Sequence, residues 1–250
     1  MKNRIRQCFG KAAASYSDAA SVQREVAARC AAFCPAGDYG RVLDIGSGVG
    51  FLHGELEKRI GFGEYVSLDL VRPMLLEQRK VSNAFLLAAD GESLPLRDNT
   101  FDLLVSSSAM QWFADPERSI PDCFRVLKPG GRFAFAIFSR GTLGELADVS
   151  ERTGFGSVKN LKDDSFYREI FSSVEDLEVE FSGGTHEIYF PSVKEFLRMH
   201  KMTGAVASSG NISWGKDKYR RFVEEYERLY RGEAGIKATY RVFLAYGEKL

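Results

Sequence analysis

Residues Arg41-Val-Leu-Asp-Ile-Gly-Ser-Gly-Val-Gly50 decide how this chain folds. A short apolar run reaches an acid, Asp44, and opens at once into glycines at alternate positions, Gly46, Gly48 and Gly50. An apolar run of this length bounded by glycines predicts a buried strand. Glycine lacks Cβ and tolerates positive φ, so the loop that follows can approach a ligand with its backbone. A nucleotide-like ligand is expected there. The dinucleotide fingerprint would need its third glycine at position 51, where Phe51 stands.

Three further apolar runs end in chemically apt residues. Tyr65-Val-Ser-Leu-Asp69 ends in an acid about twenty residues on, the offset at which a carboxylate accepts hydrogen bonds from ribose hydroxyls, and Leu70 follows. Phe85 to Asp90 ends likewise and continues into Gly91 and Glu92, and Phe101 to Val105 runs into Ser106, Ser107 and Ser108. Lys128-Pro-Gly-Gly131 introduces a fifth run, Phe133 to Phe138. Asp44 with the G-x-G-x-G register of Gly46, Gly48 and Gly50 resembles the first motif of class I S-adenosylmethionine-dependent methyltransferases. That resemblance implies S-adenosylmethionine as cofactor, with Asp90 accepting the adenine amine. It places Asp44, Gly46, Ser47, Gly48, Gly50, Asp69, Leu70, Asp90, Gly91, Glu92 and Ser106 around the cofactor.

At 250 residues with 44% hydrophobic content, the chain can bury one substantial core, so residues 1–250 are read as a single domain with appendages. Its 34 basic and 34 acidic residues cancel, so no global field recruits nucleic acid, and an electrostatic partner must meet a local patch. No apolar stretch approaches the ~18 residues of a membrane span, and the basic N-terminus lacks an apolar segment behind it. A cytoplasmic, reduced protein is expected. Cys8, Cys30, Cys34 and Cys123 offer one C-x3-C pair without nearby histidine, which favours packing over zinc; His53, His186 and His200 also lack ligand spacing, so no metal is expected.

Strands near 41–46, 65–69, 84–89, 101–106 and 132–138 alternate with helices near 50–60, 72–80, 116–127 and 143–152. This predicts an α/β fold, a doubly wound Rossmann-like parallel sheet whose ligands sit beyond the carboxyl ends of the strands. Residues 1–34 read as a helical cap, Lys2 to Ser15 and Ala20 to Phe33. Residues 184–234 separate a sixth strand, Leu177 to Phe181, from a last one, Thr239 to Tyr246; they carry a strand-like His186 to Phe190 and helices at Val193 to Met202 and Lys216 to Tyr230. A long excursion at the ligand end is expected to act as a lid.

Narrower motifs add a second resemblance. Phe9-Gly-Lys-Ala-Ala-Ala-Ser-Tyr16 with Gln23, Leu94 to Asp102, Ala109-Met-Gln-Trp112, Gly141 to Leu146, Pro191 to Phe196, Lys201 to Ala205 and Thr239 to Phe243 resemble the malonyl-acyl-carrier-protein O-methyltransferases of biotin synthesis. The chain departs from them at Ser47 and Val49, where G-C-G-T-G is common, and at Gly156 to Leu161, where an H-x-N-R-F-like stretch is usual. The resemblance implies methylation of a malonyl carboxylate on acyl carrier protein, or on coenzyme A, with Tyr16 covering the cofactor and Gln111-Trp112 walling the transfer chamber.

Such a carboxylate is already ionised at neutral pH, so no base is needed and catalysis is positioning. A cation should hold it; Lys201 and Arg241 are the candidates, with Tyr16 and Tyr240 as hydroxyl donors. Lys2, Arg4, Arg6 and Lys11, and the nine Lys or Arg against five Asp or Glu of residues 191–231, offer basic patches to an acidic carrier. A methyltransferase acting on a quinone ring carbon would instead need a base such as His200, and a module binding the cofactor without turnover is a third class.

Overall fold

The computed structural model describes residues 1–205 and 215–250; positions 206–214, inside the expected excursion, lie outside the described residues. Two helices lead, α1 (Lys2–Ala19) and α2 (Ser21–Ala32). There follow β1 (Asp38–Ile45), α3 (Phe51–Leu56), β2 (Gly61–Asp69), α4 (Arg72–Gln78), β3 (Phe85–Ala88), β4 (Phe101–Ser107), α5 (Pro116–Cys123), β5 (Leu127–Phe138), α6 (Gly144–Thr153) and α7 (Asp164–Ser172). The chain ends with β6 (Leu177–Phe190), α8 (Val193–Met202), α9 (Lys216–Tyr230), the short β7 (Arg231–Gly232) and β8 (Gly235–Lys249).

The sheet order is β3-β2-β1-β4-β5-β8-β6, with β7 paired to β8. Strands β1 to β5 pair in parallel, as the βαβ alternation predicts. The order reverses between β1 and β4, whose carboxyl ends therefore flank a crevice. The sheet is not wholly parallel, because β8 runs antiparallel to both β5 and β6. The cause is the excursion: the chain leaves β6 at the ligand edge, forms α8 and α9, and re-enters at that same edge, so β8 must run back down.

Two sequence expectations change. The strand predicted to stop at Phe181 and restart at His186 is one continuous element, laddered to β8 from Leu177 to Phe190, so the excursion begins after Phe190 and not at 184. Gly183 and Gly184 look like a turn but serve close approach. A Cβ on Gly183 would lie 3.0 Å from the backbone oxygen of Val242, and Arg29 donates to the Gly183 carbonyl at 2.8 Å. Helix α7 was not foreseen; Asp163 caps it by accepting from the Phe166 amide at 3.0 Å.

Apolar side chains gather on both faces of the sheet. On one face α2, α3, α6, α8 and α9 bury residues such as Val26, Leu56, Val149, Phe196 and Tyr226; on the other α5 and α7 bury Ile120, Tyr167 and Phe171. Cys30 and Cys34 are buried in the first cluster, their thiols directed at backbone carbonyls. A third, small cluster joins α1 and α4 through Ile5, Ala13, Val49, Val71 and Met74, and it roofs the crevice. Among the described residues, no helix is long and apolar enough to cross a membrane.

Candidate active site

The crevice at the carboxyl ends of β1, β2 and β4 spans about 970 Å³ of unfilled space, the open solvent at its mouth included. Its floor is the glycine loop. Gly46, Gly48 and Gly50 all take left-handed φ, at 74°, 57° and 88°. A Cβ on Gly46 would lie 2.2 Å from that of Ala109, and one on Gly50 would lie 2.7 Å from Cγ of Gln78. A Cβ on Gly48 would meet nothing within 4 Å, so its open side faces the crevice. The amides of Gly46 and Ser47 both donate to the carbonyl of Leu68, tying the loop to β2.

Two buried carboxylates stand beside this loop. Asp69 accepts the Gly48 amide at 2.8 Å on one oxygen and the Val71 amide at 2.7 Å on the other, leaving lone pairs on both. Burial pushes its pKa up to about 6 against the opposing pull of those amides. Asp44 accepts the Tyr65 hydroxyl at 3.0 Å on Oδ2, while its buried Oδ1 has no hydrogen-bond partner. Burial raises its pKa to about 7, the Tyr65 hydrogen bond opposing and nearby Asp69 adding to the rise. An unpaired carboxylate oxygen at this depth lacks an N–H donor.

The remaining cofactor candidates divide. Leu70, Asp90 and Gly91 line the crevice, and a Cβ on Gly91 would lie 2.8 Å from Ile45. Ser47 lines it through its backbone, because its hydroxyl donates to Gln78 at 3.1 Å. Ser106 does not belong to the lining: its hydroxyl donates to the Ile45 carbonyl at 2.7 Å, inside the sheet, whereas Ser107 and Ser108 reach the crevice. Glu92 borders the crevice but is engaged elsewhere. One oxygen accepts the amides of Ala114 and Asp115 at 2.7 and 2.8 Å, fixing the start of α5, and the other meets Lys2 at 2.8 Å. Lys2 also bridges to Asp90 at 2.6 Å, so it latches α1 over the crevice instead of joining a surface patch. A Glu92→Ala variant is therefore expected to unfold at lower denaturant, by about 2–4 kcal/mol, because buried donors lose their acceptor; unaltered stability with weakened cofactor binding would return Glu92 to the ligand set.

A second cavity of about 670 Å³ adjoins the first and shares Phe9, Tyr16, Gln23, Ser108 and Trp112 with it. Tyr16 lies at this junction, its ring 6.0 Å from that of Phe51 and its hydroxyl pKa raised by burial and by Asp69. Gln111 donates to the carbonyl of Ser108 at 2.6 Å, and its buried Oε1 has no partner. Ser108 is held in left-handed backbone at φ 59°, and its buried hydroxyl is also unpartnered. Non-glycine residues keep such a conformation only where their surroundings enforce it. Lys159 donates from Nζ to the Gln111 carbonyl and lies 4.5 Å from the centroid of Trp112. Burial lowers its pKa to about 8, with Glu92 opposing the fall. His200 lines the same cavity, and burial brings its pKa down to about 4, so its imidazole is neutral at neutral pH.

The two cations named from sequence are not in either cavity. Lys201 is exposed on α8, between His200 and Thr203, which both face the second cavity. On a helix, positions 200 and 203 share a face that 201 does not. Arg241 is exposed and borders a shallow hollow with Asp164 and Arg168, on the α7 side of the sheet. Its neighbour Tyr240 faces the second cavity, and successive strand residues point to opposite faces. Lys159 was missed because it lies in irregular chain between α6 and α7, where no periodicity marks it. Of the basic residues in 191–231, Arg198, Arg220, Arg228 and Arg231 pair with acids of their own helix or its last turn. No three His, Cys, Asp or Glu among the described residues are grouped as metal ligands would be.

Comparison with known proteins bears on this geometry. The family model of the methyltransferase domain matches residues 43–135, from the end of β1 into β5. The chain is 32% identical to the malonyl-[acyl-carrier protein] O-methyltransferase of Geobacter sulfurreducens, over 99% of both chains. It is 31% identical to the biotin biosynthesis bifunctional protein BioHC of Cellvibrio japonicus, over 97% of this chain and 49% of that protein. Among solved structures, the YcgJ protein of Bacillus subtilis aligns with a TM-score of 0.61 at 17% identity, covering 90% of this chain and 98% of that one, which bears on the fold.

Proposed function

Because the chain belongs to the malonyl-[acyl-carrier protein] O-methyltransferase family, we propose that it methylates the free carboxylate of a malonyl thioester, carried on acyl carrier protein or coenzyme A, to give the ester that biotin synthesis elongates. The observation that carries this reading is the meeting of the two cavities at Tyr16, Ser108 and Trp112. One cavity holds buried carboxylates and open glycine backbone, the other neutral donors and an ammonium.

The first cavity fits S-adenosylmethionine, which when bound supplies an electrophilic methyl group on a sulfonium sulfur. Asp44 Oδ1, buried and unpartnered, suits the α-ammonium of its methionine part. Asp69 has lone pairs left for a ribose diol, and Gly48 leaves its backbone uncovered. Asp90 keeps acceptor capacity for the adenine amine beside Lys2.

On the substrate side the residues position and exclude water. A carboxylate arrives ionised, so nothing has to remove a proton, and His200, with its pKa near 4, is a poor base at neutral pH. Tyr16 and Trp112 wall the junction, and the water that a bound substrate displaces there strengthens every charge interaction inside it. Orienting the two reactants is worth several kcal/mol, within the ~7–11 available from ideal alignment. The test is incubation with labelled S-adenosylmethionine and malonyl, succinyl or acetyl carrier protein, followed by intact mass. Malonyl carrier should gain the mass of one methylene and acetyl carrier none; transfer to a quinone, or none to malonyl, overturns the reading.

A further inference from the structure

We propose that Lys159 and Ser108, bridged by Gln111, form an anion seat that admits a free carboxylate and releases the ester it becomes. The inference rests on the methyl-transfer reading above and adds what selects the substrate and expels the product.

The seat is built from three contacts. The Lys159 ammonium donates to the Gln111 carbonyl and lies over the Trp112 ring at 4.5 Å, which leaves N–H donors to spare. The Gln111 side chain in turn donates to the carbonyl of Ser108 at 2.6 Å. Ser108 stands at φ 59° with a buried hydroxyl that has no partner, and the residue borders both cavities. A charged donor and a neutral one are thus tied to one glutamine, at the wall where the cavities meet.

The surroundings give this arrangement its sign. No Asp or Glu is among the described residues lining the second cavity, and the one carboxylate that acts on the ammonium, Glu92, lies outside that lining and is already paired with Lys2. Burial has already pulled its pKa down to about 8, and an arriving carboxylate would stabilise the charged form. A neutral acyl thioester of the same length would leave the cation desolvated and unmatched, which is rejection by an uncompensated charge. In the transfer a carboxylate oxygen joins the methyl carbon while the carbon–sulfur bond breaks, its electron pair staying on sulfur. No proton moves. The anion becomes a neutral ester, so the seat that held the substrate has lost its counter-charge and its grip on the product.

The test uses the full-length protein, malonyl carrier as substrate, and two competitors, the malonyl methyl ester carrier and acetyl carrier. The wild type should bind malonyl carrier at least about 10-fold more tightly than either competitor, as one charge-assisted hydrogen bond allows. Lys159→Met should lower kcat/KM about 100-fold, mainly through KM, and bring substrate and ester to near parity, with S-adenosylhomocysteine binding intact; Lys159→Arg should recover part of the discrimination, and Ser108→Ala should lose about 10-fold. A wild type that binds the ester as tightly as the acid overturns the seat whether or not any variant folds. So does a Lys159→Met protein that keeps the wild-type discrimination. If the wild type transfers no methyl to malonyl at all, the methyl-transfer reading itself has failed, an outcome distinct from transfer that is indifferent to Lys159.

Discussion

A Gly46→Val protein is expected to lose cofactor affinity by more than about 100-fold. The position is closed to a side chain twice over. Its φ of 74° is left-handed, which costs a β-branched residue about 1–3 kcal/mol. Its Cβ would stand 2.2 Å from the Cβ of Ala109, so the loop after β1 and the chain after β4 must separate, at about 1–3 kcal/mol more. Both segments line the crevice, so the separation deforms the site itself. Together these terms reach about 2–6 kcal/mol, and each 1.4 kcal/mol is tenfold in a dissociation constant. Calorimetry with S-adenosylhomocysteine measures the loss, and thermal unfolding measures the share that appears as instability. Steric and backbone terms separate in a cycle: Gly46→Ala with Ala109→Gly should recover the steric part and leave the cost of φ. Wild-type affinity in Gly46→Val would mean that the loop does not carry the cofactor.

The cofactor half of the site was legible because strand ends are punctuated. An apolar run that stops at an acid or a glycine announces both where a parallel strand ends and what it presents, and Asp44, Asp69 and Asp90 all reached the crevice. Ser106 turns its hydroxyl back to the Ile45 carbonyl, while β4 ends at Ser107 and Ser108 breaks into left-handed backbone, a change that no apolar pattern announces. The engagement of Glu92 was hidden because carboxylates also anchor helix starts, and its partners at 114 and 115 are remote in sequence.

The substrate half was harder for a different reason. The cation proposed for it, Lys159, is placed by a contact 48 residues away in irregular chain, which no period encodes. The outward direction of Lys201 and Arg241 is itself encoded in the sequence. Val193, Phe196, His200 and Thr203 mark an inward stripe at helical spacing that passes 201 by. Tyr240 and Arg241, adjacent on one strand, could not both have faced the same cavity. The excursion was read correctly as helical, but Gly183–Gly184 hid the length of β6, because glycines that permit close approach look like glycines that permit a turn.

The second large effect is a dependence of cofactor affinity on pH set by Asp44. Its carboxyl titrates near 7 in the folded protein against an ordinary 3.8, because burial penalises the charge and Oδ1 has no donor to offset it. The native state therefore holds this proton more tightly than the unfolded chain does. The stability this confers is complete below pH 3.8 and is lost as pH rises through about 7, a change of about 4 kcal/mol in the ligand-free protein. Asp69, raised to about 6, adds to the loss in the same direction. A bound ammonium reverses the preference, since it supplies the missing donor and a positive charge. Binding should then expel a proton below pH 7, and S-adenosylhomocysteine affinity should climb by up to about tenfold per pH unit toward that value before levelling off. Titration calorimetry in buffers of different ionisation enthalpy counts the proton directly. Asp44→Asn should be more stable than the wild type at pH 8 without ligand, bind more weakly there, and keep only the shallower step of Asp69 near pH 6. An affinity that is level from pH 5.5 to 8 in the wild type would mean that Asp44 does not face the ammonium, and would leave its unpaired oxygen without a ligand to explain it.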